Sequence, residues 1–425
     1  MIKQGEINMT DSKKRIGLGT QIMIGMFLGF IFGYIFPEIG VSLKVIGDIF
    51  IRMIKMIIVP LIFSSLVMGI AGTGSFKKLG RLGLKALIWF EAATTVALII
   101  GLTTANVLKP GVGITLPVSI DATNAQQMAS KSVDLMQAII NIVPINIIDS
   151  MAKGDMLQIV FFSTFFGVAV AAIGEKGDSI INLTTSIAET MFKFTAYVMR
   201  LAPYGVFSMC AFAVGKFGVA MLFPLGKLVF GLYFALFIFL TLLFGFVSFF
   251  FKINTYHLLR VIKEPALLAF TTTTSESALP IAMKNLERFG VPKNIVTFIL
   301  PTGYTFNLDG GTLYSAMALF FIAQLYGINY SISQQIMIMI TLMLATKGIA
   351  CVPSGSFIIV AGTAASLGLP MEGVALLMGV DRILDMARTG CNLIGNCVAS
   401  VVIARWEHQL PEETLQLGYK KNYNE

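Results

Sequence analysis

The stretch DRILDMART, residues 381–389, places charged side chains in the middle of a long apolar segment. Five polar residues of this stretch and the next two turns follow one another at spacings of 4, 3, 4 and 4: Asp381, Asp385, Arg388, Asn392 and Asn396. This spacing puts them on one face of a helix. A charge at the bilayer centre costs at least about 2.5–3.5 kcal/mol on insertion scales. The stripe therefore predicts a polar cavity or paired partners; a structural Asp–Arg pair alone would leave the second acid and the amides unexplained.

The composition of the chain is that of a membrane protein. Of its 425 residues, 56% are hydrophobic and 13% are charged, whereas soluble domains carry roughly 25% charged residues. The lipid bilayer is therefore the expected solvent for most of the chain. The net charge of +8 does not indicate a nucleic-acid partner, because Lys and Arg concentrate between the apolar segments. The four cysteines have neither paired nor metal-ligand spacing, so we expect no disulfide framework. We also expect no organic cofactor, and no residue is a certain metal ligand.

Eight apolar segments predict membrane-spanning helices. They lie at about 17–36, 43–73, 80–108, 155–173, 182–213, 219–251, 294–325 and 370–404. Basic clusters at 13–15, 77–85 and 252–260 alternate onto one side, which the positive-inside rule makes cytoplasmic. The loop at 111–127 has no Lys or Arg and falls on the other side. The pattern predicts a multi-pass protein of the cell (inner) membrane with cytoplasmic termini and no cleavable signal peptide.

Two regions are too interrupted to span the membrane as one helix and too apolar to be solvated loops. The region Pro265–Met283 contains the run TTTTSES, and the region Thr341–Leu369 contains VPSGS. A re-entrant helical hairpin fits both, because irregular backbone at membrane depth is tolerated where it lines a cavity. A loop followed by an interfacial helix is the alternative.

The apolar segment at 294–325 contains the sequence NLDGG at 307–311. A regular helix would point Asn307 and Asp309 to opposite faces, and two adjacent glycines weaken a helix. The sequence predicts a break here, where backbone carbonyls and the Asp309 carboxylate become oxygen ligands for Na⁺ or H⁺. A tolerated glycine kink is the alternative, but it does not account for both polar residues.

In chain order, these stretches resemble the glutamate/aspartate:cation symporter family, also called the dicarboxylate/amino acid:cation symporters. The matching stretches are FIRMIKMIIVPLIF at 50–63, the Thr/Ser-rich run before Pro280, NLDG at 307–310, Val352-Pro353 and DRILDMART at 381–389. The resemblance implies an all-α membrane protein of eight transmembrane helices and two re-entrant hairpins, built from inverted repeats. It also implies a homotrimer that works by an elevator mechanism.

The resemblance further implies a static scaffold and a mobile transport domain. The scaffold would comprise residues 1–79 and 111–216, the transport domain residues 80–110 and 217–405, and a cytoplasmic tail residues 406–425.

The family's substrate site carries over residue by residue. Arg388 matches the arginine that holds the side-chain carboxylate of an acidic amino acid, for which its bidentate fork is suited. Asp385 matches the aspartate that holds the amino group. The other implied substrate contacts are Thr274, Ser275, Val352, Ser354, Gly355, Ser356, Thr389 and Asn392. Gly311 stands where the family usually has a hydroxyl residue, so one side-chain contact is expected to be missing.

The coupling residues depart from the sodium-dependent pattern of the family. Asn396 replaces an acid of one sodium site, and Phe90 and Ala93 replace a tyrosine and a hydroxyl of another. Two acids, Glu91 and Glu276, stand at membrane depth, where acids often form proton relays. The residues implied in cation or proton coupling are Glu91, Thr94, Glu276, Gly303, Thr305, Asn307, Asp309, Asp381 and Asn396.

This pattern resembles the bacterial proton-coupled glutamate branch, so we predict proton coupling with Na⁺ as a further candidate ion. A permanent pair of Glu91 or Glu276 with Lys347 or another base is the alternative, and it would remove that acid as a proton carrier. Potassium countertransport is not expected, because Ser315 replaces the acid that the animal members carry.

Four other functions remain alternatives. A Na⁺-coupled acidic amino acid symporter would need the lost sodium ligands. C4-dicarboxylate symporters of the family keep the arginine but lack the amine-binding aspartate, so Asp385 favours an amino acid substrate. An intramembrane aspartyl protease that uses Asp309 and Asp385 would need a GxGD signature, which is absent; we therefore expect no enzyme activity. A passive channel conflicts with the paired charges of a binding site.

Overall fold

The computed structural model describes residues 18–71, 76–113, 140, 142–348 and 355–411. Regular structure in these ranges is helical and includes no strand. The helices of the first half are α1 (Leu18–Ile35), α2 (Pro37–Ser42), α3 (Lys44–Ala71), α4 (Phe76–Leu108), α5 (Ile147–Lys153), α6 (Met156–Ala172), α7 (Asp178–Met199) and α8 (Ala202–Phe217). Those of the second half are α9 (Leu222–Phe251), α10 (Thr255–Thr272), α11 (Ser275–Phe289), α12 (Lys293–Phe306), α13 (Asp309–Leu325), α14 (Ile332–Ala345), α15 (Gly355–Ser366) and α16 (Met371–Trp406).

Five helical stretches in the described part of the chain are long and apolar enough to cross a membrane. They are Pro37–Ala71, Arg81–Leu108, Leu222–Phe251, Lys293–Leu325 and Met371–Trp406. The shorter helices α1 and α6 are also apolar. The chain is therefore a multi-pass membrane protein of α-helices, and the full number of eight spans stays a prediction.

The single helix predicted for residues 182–213 is wrong. Two helices, α7 and α8, occupy this part of the chain and meet at an angle of 52°. Pro203 lies in the first turn of α8, where its missing N–H costs no hydrogen bond but where a continuous helix would lose one. The apolar run alone did not reveal this bend.

Each of the two interrupted regions lies in a pair of short helices, as predicted, but the first helix of each pair begins before the predicted region, at Thr255 and at Ile332. The helices α10 and α11 pack against each other, and the chain turns between them at Thr273 with a left-handed φ of 57°. The helices α14 and α15 also pack together, and a short 3₁₀ turn at Thr346–Gly348 follows α14. The predicted site residues Val352 and Ser354 lie outside the described residues.

The helices α13 and α16 form the centre of the molecule. Every residue of α13 is buried except Gln324, and α16 is buried over most of its length. The helix α9, by contrast, exposes large aromatic side chains on one face, such as Phe237 and Phe249, which are 67% and 78% exposed. An apolar helix with one exposed face fits against lipid, whereas a helix buried all round belongs inside the protein. The polar stripe of α16 is thus shielded from lipid.

The helices α1 and α8 approach closely along a row of glycines. Gly25, Gly29 and Gly33 lie four residues apart, and a Cβ at each would collide with backbone atoms of α8. Small residues at this spacing let two membrane helices touch along their backbones.

The start of α4 is tied to the end of α16. Lys85 and Arg81 each pair with the Glu407 carboxylate at 2.6 Å, and Lys85 also donates to the Trp406 carbonyl at 2.9 Å. Hydrogen bonds from Lys85 and Arg81 hold the pKa of the Glu407 carboxyl below its ordinary value. These contacts fix α4 beside the helix that carries the polar stripe.

Candidate functional site

The predicted break in the helix at NLDGG is confirmed. The helix α12 ends at Phe306, and α13 begins at Asp309. Between them, Asn307 has φ −127° and ψ 73°, and Leu308 has φ −102° and ψ 59°, which are not helical values. The break leaves backbone N–H and C=O groups without helical partners at a fully buried position.

Asn392 on α16 satisfies the N–H groups at the start of α13. In a continuous helix, the N–H groups of Gly310 and Gly311 would donate to the carbonyls of Phe306 and Asn307. Here both donate to Asn392 Oδ1, at 2.8 and 3.2 Å. Asn392 therefore caps α13 from another helix. The sequence placed Asn392 in the site but gave no sign of this capping role.

Lys347 satisfies the carbonyl at the end of α12. Its Nζ donates to the Phe306 carbonyl at 3.0 Å and to Thr94 Oγ1 at 3.1 Å. The same Nζ pairs with Glu91 Oε1 at 3.1 Å. The alternative left open by the sequence, a pair between Glu91 and Lys347, is thus what the structure contains. Thr94, predicted as a cation ligand, contacts this ammonium.

A cluster of amides and a carboxylate fills the other side of the break. Asn307 Nδ2 donates to Asp309 Oδ2 and to Asn396 Oδ1, both at 3.1 Å. All three residues are fully buried. Asn307 Oδ1, Asp309 Oδ1 and Asn396 Nδ2 have no hydrogen-bond partner among the described residues. An unsatisfied buried polar group costs about 1–3 kcal/mol, so this cluster has oxygens in place for a cation or a proton.

Two other predicted coupling residues lie in the last turn of α12. At Gly303, a Cβ would collide with the Asn396 side chain, so glycine at this position lets the amide reach the break. Thr305 is half-buried. The side chain of Glu276, on the first turn of α11, lies outside what the structure describes.

Arg388 is held between two aspartates of its own helix. Its Nε donates to Asp385 Oδ1 and its Nη1 to Asp381 Oδ1, each at 2.8 Å. Thr389 Oγ1 also donates to Asp385 Oδ1, at 3.3 Å. The guanidinium carbon lies 4.3 Å from the centre of the Tyr314 ring, a stacking contact. The prediction that the stripe lies among paired partners away from lipid is therefore confirmed.

One nitrogen of the Arg388 guanidinium makes no hydrogen bond to a described residue. Arg388 Nη2 is buried and has no hydrogen-bond partner among the described residues. Two carboxylates and one guanidinium leave the cluster with one formal negative charge. The structure places Asp381 with Arg388 rather than with Asn307, Asp309 and Asn396, where the sequence analysis had grouped it. Tyr314 was missed, because nothing in the sequence distinguishes it from other aromatic residues of an apolar segment.

The second helix of each hairpin packs against a helix of the site, α11 against α16 and α15 against α13. Ser275 and Gly355, which begin α11 and α15, are buried. Thr274 Oγ1 donates within its own turn, to Ser277 Oγ at 3.1 Å, and Arg382 of α16 donates to Thr273 Oγ1. The first hairpin is therefore tied to the helix that carries Arg388.

The Ser356 hydroxyl lies beside Gly311. A Cβ at Gly311 would overlap Ser356 Oγ, so Ser356 occupies the space that a side chain at residue 311 would fill. Ser356 was itself predicted to contact the substrate, so the contact expected to be missing at Gly311 stays a prediction.

The fold and the site together define a helical membrane protein with a buried polar centre around a broken helix, which is the architecture of a secondary transporter. The chain belongs to the sodium:dicarboxylate symporter family, whose sequence model matches residues 18–406. The family resemblance seen in the sequence is therefore confirmed.

Three relatives illustrate the range of the family. The chain is 47% identical to the proton/sodium-glutamate symport protein of Geobacillus stearothermophilus over 408 residues, which cover 94% of this chain and 97% of that protein. It is 44% identical to the proton/glutamate-aspartate symporter of Bacillus subtilis over 389 residues, 91% of this chain and 94% of that protein. It is also 41% identical to the C4-dicarboxylate transport protein of Bacillus subtilis over 398 residues, 93% of this chain and 94% of that protein.

The capping role of Asn392 predicts a difference between two substitutions. Asn392→Leu should lower the free energy of unfolding by about 1–3 kcal/mol, because it leaves two buried N–H groups without an acceptor. Asn392→Gln keeps a neutral amide acceptor and adds no charge to a centre that already holds Asp309 and Asp385, so it should cost less. The Tm of the purified protein in detergent measures both. Equal losses in the two variants would contradict the capping role.

Proposed function

We propose that the protein is a proton-coupled symporter that imports L-glutamate and L-aspartate across the cell membrane. The observation that carries this proposal is the buried pair of Asp385 and Arg388, joined at 2.8 Å, with Arg388 Nη2 free of a described partner. An anion site directly beside a cation site matches a molecule that carries both a carboxylate and an ammonium group. The names of two of the relatives, which refer to glutamate and aspartate symport, support the same substrate class.

When the substrate binds, the ion pair between Asp385 and Arg388 is replaced by two ion pairs, one between each of these residues and the substrate. The side-chain carboxylate of the substrate takes the N–H groups of Arg388, beginning with the free Nη2. The ammonium group takes Asp385, which also accepts from Thr389. Arg388 and Asp385 each keep a charged partner through this exchange, which matters because a stranded buried charge costs about 3–5 kcal/mol. Asn392, Ser356 and the hairpin ends, Thr274, Ser275, Val352, Ser354 and Gly355, complete the proposed substrate site.

The elevator mechanism belongs to the same proposal. The scaffold would be residues 1–79 and 111–216 and would form the homotrimer, and the transport domain would be residues 80–110 and 217–405 with both hairpins re-entrant. The packing supports this division, since α3 lies against α6, α7 and α8, whereas α4 lies against α9 and α13. Both termini, with the tail 406–425, would be cytoplasmic.

For the coupling ion, we assign the proton to Glu276 or Asp309 rather than to Glu91. Glu91 pairs with Lys347. If Glu91 gained and lost a proton in each transport cycle, its ion pair with the Lys347 ammonium would have to break and re-form every time. Asp309 has a buried oxygen without a described partner, and Glu276 lies next to the buried Ser275 in the first hairpin. Na⁺ remains a second candidate ion, because Asn307 and Asp309 offer oxygen ligands.

The substrate class is tested by competition. Unlabelled L-aspartate should displace labelled L-glutamate from the purified protein, and succinate should do so at least about tenfold less well, because succinate leaves Asp385 without an ammonium partner. Asp385→Asn is the matched control: in this variant, aspartate and succinate should differ less in how well they displace glutamate than they do in the wild type. Equal displacement by succinate and aspartate would favour C4-dicarboxylate transport. Arg388→Ala is less informative, because it strands two buried carboxylates.

The hydroxyl of Ser356 is tested by a double-mutant cycle. Ser356→Ala removes the hydroxyl, and Gly311→Ala displaces it, so each should weaken glutamate binding several-fold, in line with about 0.5–1.5 kcal/mol for one hydrogen bond. The double variant should bind about as well as either single variant, because the same contact is lost once. Additive losses would show that Gly311 and Ser356 act separately.

Proton coupling is tested by uptake into proteoliposomes. An inward proton gradient in nominally Na⁺-free buffer should drive accumulation of glutamate. Glu276→Gln and Asp309→Asn are compared with Glu91→Gln; the variant of the carrier should keep glutamate exchange but lose uphill uptake driven by pH. Accumulation on a Na⁺ gradient alone, with none on a proton gradient, would overturn this part of the proposal.

A further inference from the structure

The ammonium group of Lys347 lies at a junction of three structural elements. Lys347 follows α14 in the second hairpin, Thr94 and Glu91 belong to α4, and Phe306 ends α12. An ammonium group has three N–H donors. It meets three acceptors here: the Phe306 carbonyl at 3.0 Å, Thr94 Oγ1 at 3.1 Å and Glu91 Oε1 at 3.1 Å. The whole hydrogen-bonding capacity of the ammonium is used by groups that are distant from it in sequence.

These acceptors form a ligand set for a monovalent cation. A carboxylate, a hydroxyl and a main-chain carbonyl are hard oxygen ligands, and rings of such oxygens replace the hydration shell of alkali ions in channels. The ammonium lies towards the protein interior, since Thr94 is fully buried and the Lys347 side chain is 11% exposed, whereas the Glu91 side chain is 32% exposed and opens the site on one side. Glu91 Oε2 is also buried and has no hydrogen-bond partner among the described residues, so a fourth oxygen is at hand.

We propose that Lys347 is a built-in cation that permanently fills a monovalent-cation site formed by Glu91, Thr94 and the Phe306 carbonyl. Removing the side chain back to Cβ opens this site to a free ion. Ammonium and potassium ions are similar in size, so K⁺ and NH₄⁺ fit the walls of the site as they stand, better than the smaller Na⁺ and Li⁺. The intact protein needs no dissolved cation at this position, because the second hairpin carries one.

A purely structural ion pair predicts something different. If Lys347 only neutralised Glu91, its loss would destabilise the protein equally in every salt of the same ionic strength. A cation site instead gives back stability when an ion binds in place of the ammonium, by an amount that rises with the concentration of that ion relative to its Kd. A comparison of different salts at one ionic strength therefore distinguishes a cation site from a purely structural ion pair.

The test is the Tm of purified variants in choline, Li⁺, Na⁺, K⁺ and NH₄⁺ chlorides at one ionic strength. Lys347→Ala should melt lower than the wild type in choline and gain at least about 2 °C in K⁺ or NH₄⁺. Lys347→Met should show no such gain, because the methionine side chain fills the space of the ammonium. Adding Glu91→Gln to Lys347→Ala should remove the gain.

A second lysine supplies a matched control. Lys44 pairs with Asp48 at 3.0 Å and with Glu372 at 3.5 Å, but its side chain is 35% exposed. Lys44→Ala should therefore show no preference among the salts. If Lys347→Ala gains no more than Lys44→Ala in any salt, the proposal is wrong. If Lys347→Ala cannot be purified in choline, recovery in KCl or NH₄Cl supports the proposal, and failure in every salt overturns it.

A transport measurement extends the test and rests on the proposed function. Glutamate uptake by Lys347→Ala should become at least about tenfold faster in K⁺ than in choline, whereas wild-type uptake should not depend on this exchange of salts. The proposed function and the cation site are two hypotheses, and either can fail while the other holds. If the wild type does not transport glutamate, the proposed function fails while the Tm comparison still stands; if Tm shows no ion preference, the cation site fails whatever the substrate.

Discussion

The break between α12 and α13 is the constraint on which the rest of the site depends. A helix interrupted at a fully buried position exposes backbone donors and acceptors that water cannot satisfy, and each one left unpaired costs free energy. The partners come from elsewhere in the chain: Asn392 of α16 accepts from Gly310 and Gly311, and Lys347 donates to the Phe306 carbonyl. The break thus holds α16, α4 and the second hairpin in fixed positions around itself.

Charge balance is the second constraint, and it follows from the first. The side chains at the break lie among apolar helices, so each charge needs a partner nearby. Arg388 pairs with two aspartates, and Lys347 pairs with Glu91. Asp309 has one oxygen bonded to Asn307 and another without a described donor. The centre therefore carries an excess of negative charge, and a cationic group on a substrate, a proton or a metal ion lowers its energy.

The parts of the fold that were predictable are those with a local signature. The stripe on α16 follows from residue spacing, the break follows from Asn307 and Asp309 with the two glycines, and the helix pairs follow from polar interruptions in apolar sequence. The bend before Pro203 was missed because hydropathy does not register a bend. The contacts of Lys347, Ser356 and Tyr314 could not be predicted, since each depends on residues that are brought together only by the packing of distant helices.

The second hairpin contacts the broken helix through residues on either side of the segment that joins α14 to α15. Before that segment, Lys347 bonds to Phe306, Thr94 and Glu91; after it, Ser356 lies against Gly311. Any movement that separates this hairpin from the break must take the ammonium away from its three acceptors at once. That would leave a buried carbonyl and a carboxylate unpaired, which is costly unless water or a cation replaces the lysine. The position of the hairpin and the charge state of the break are therefore coupled by the same few contacts.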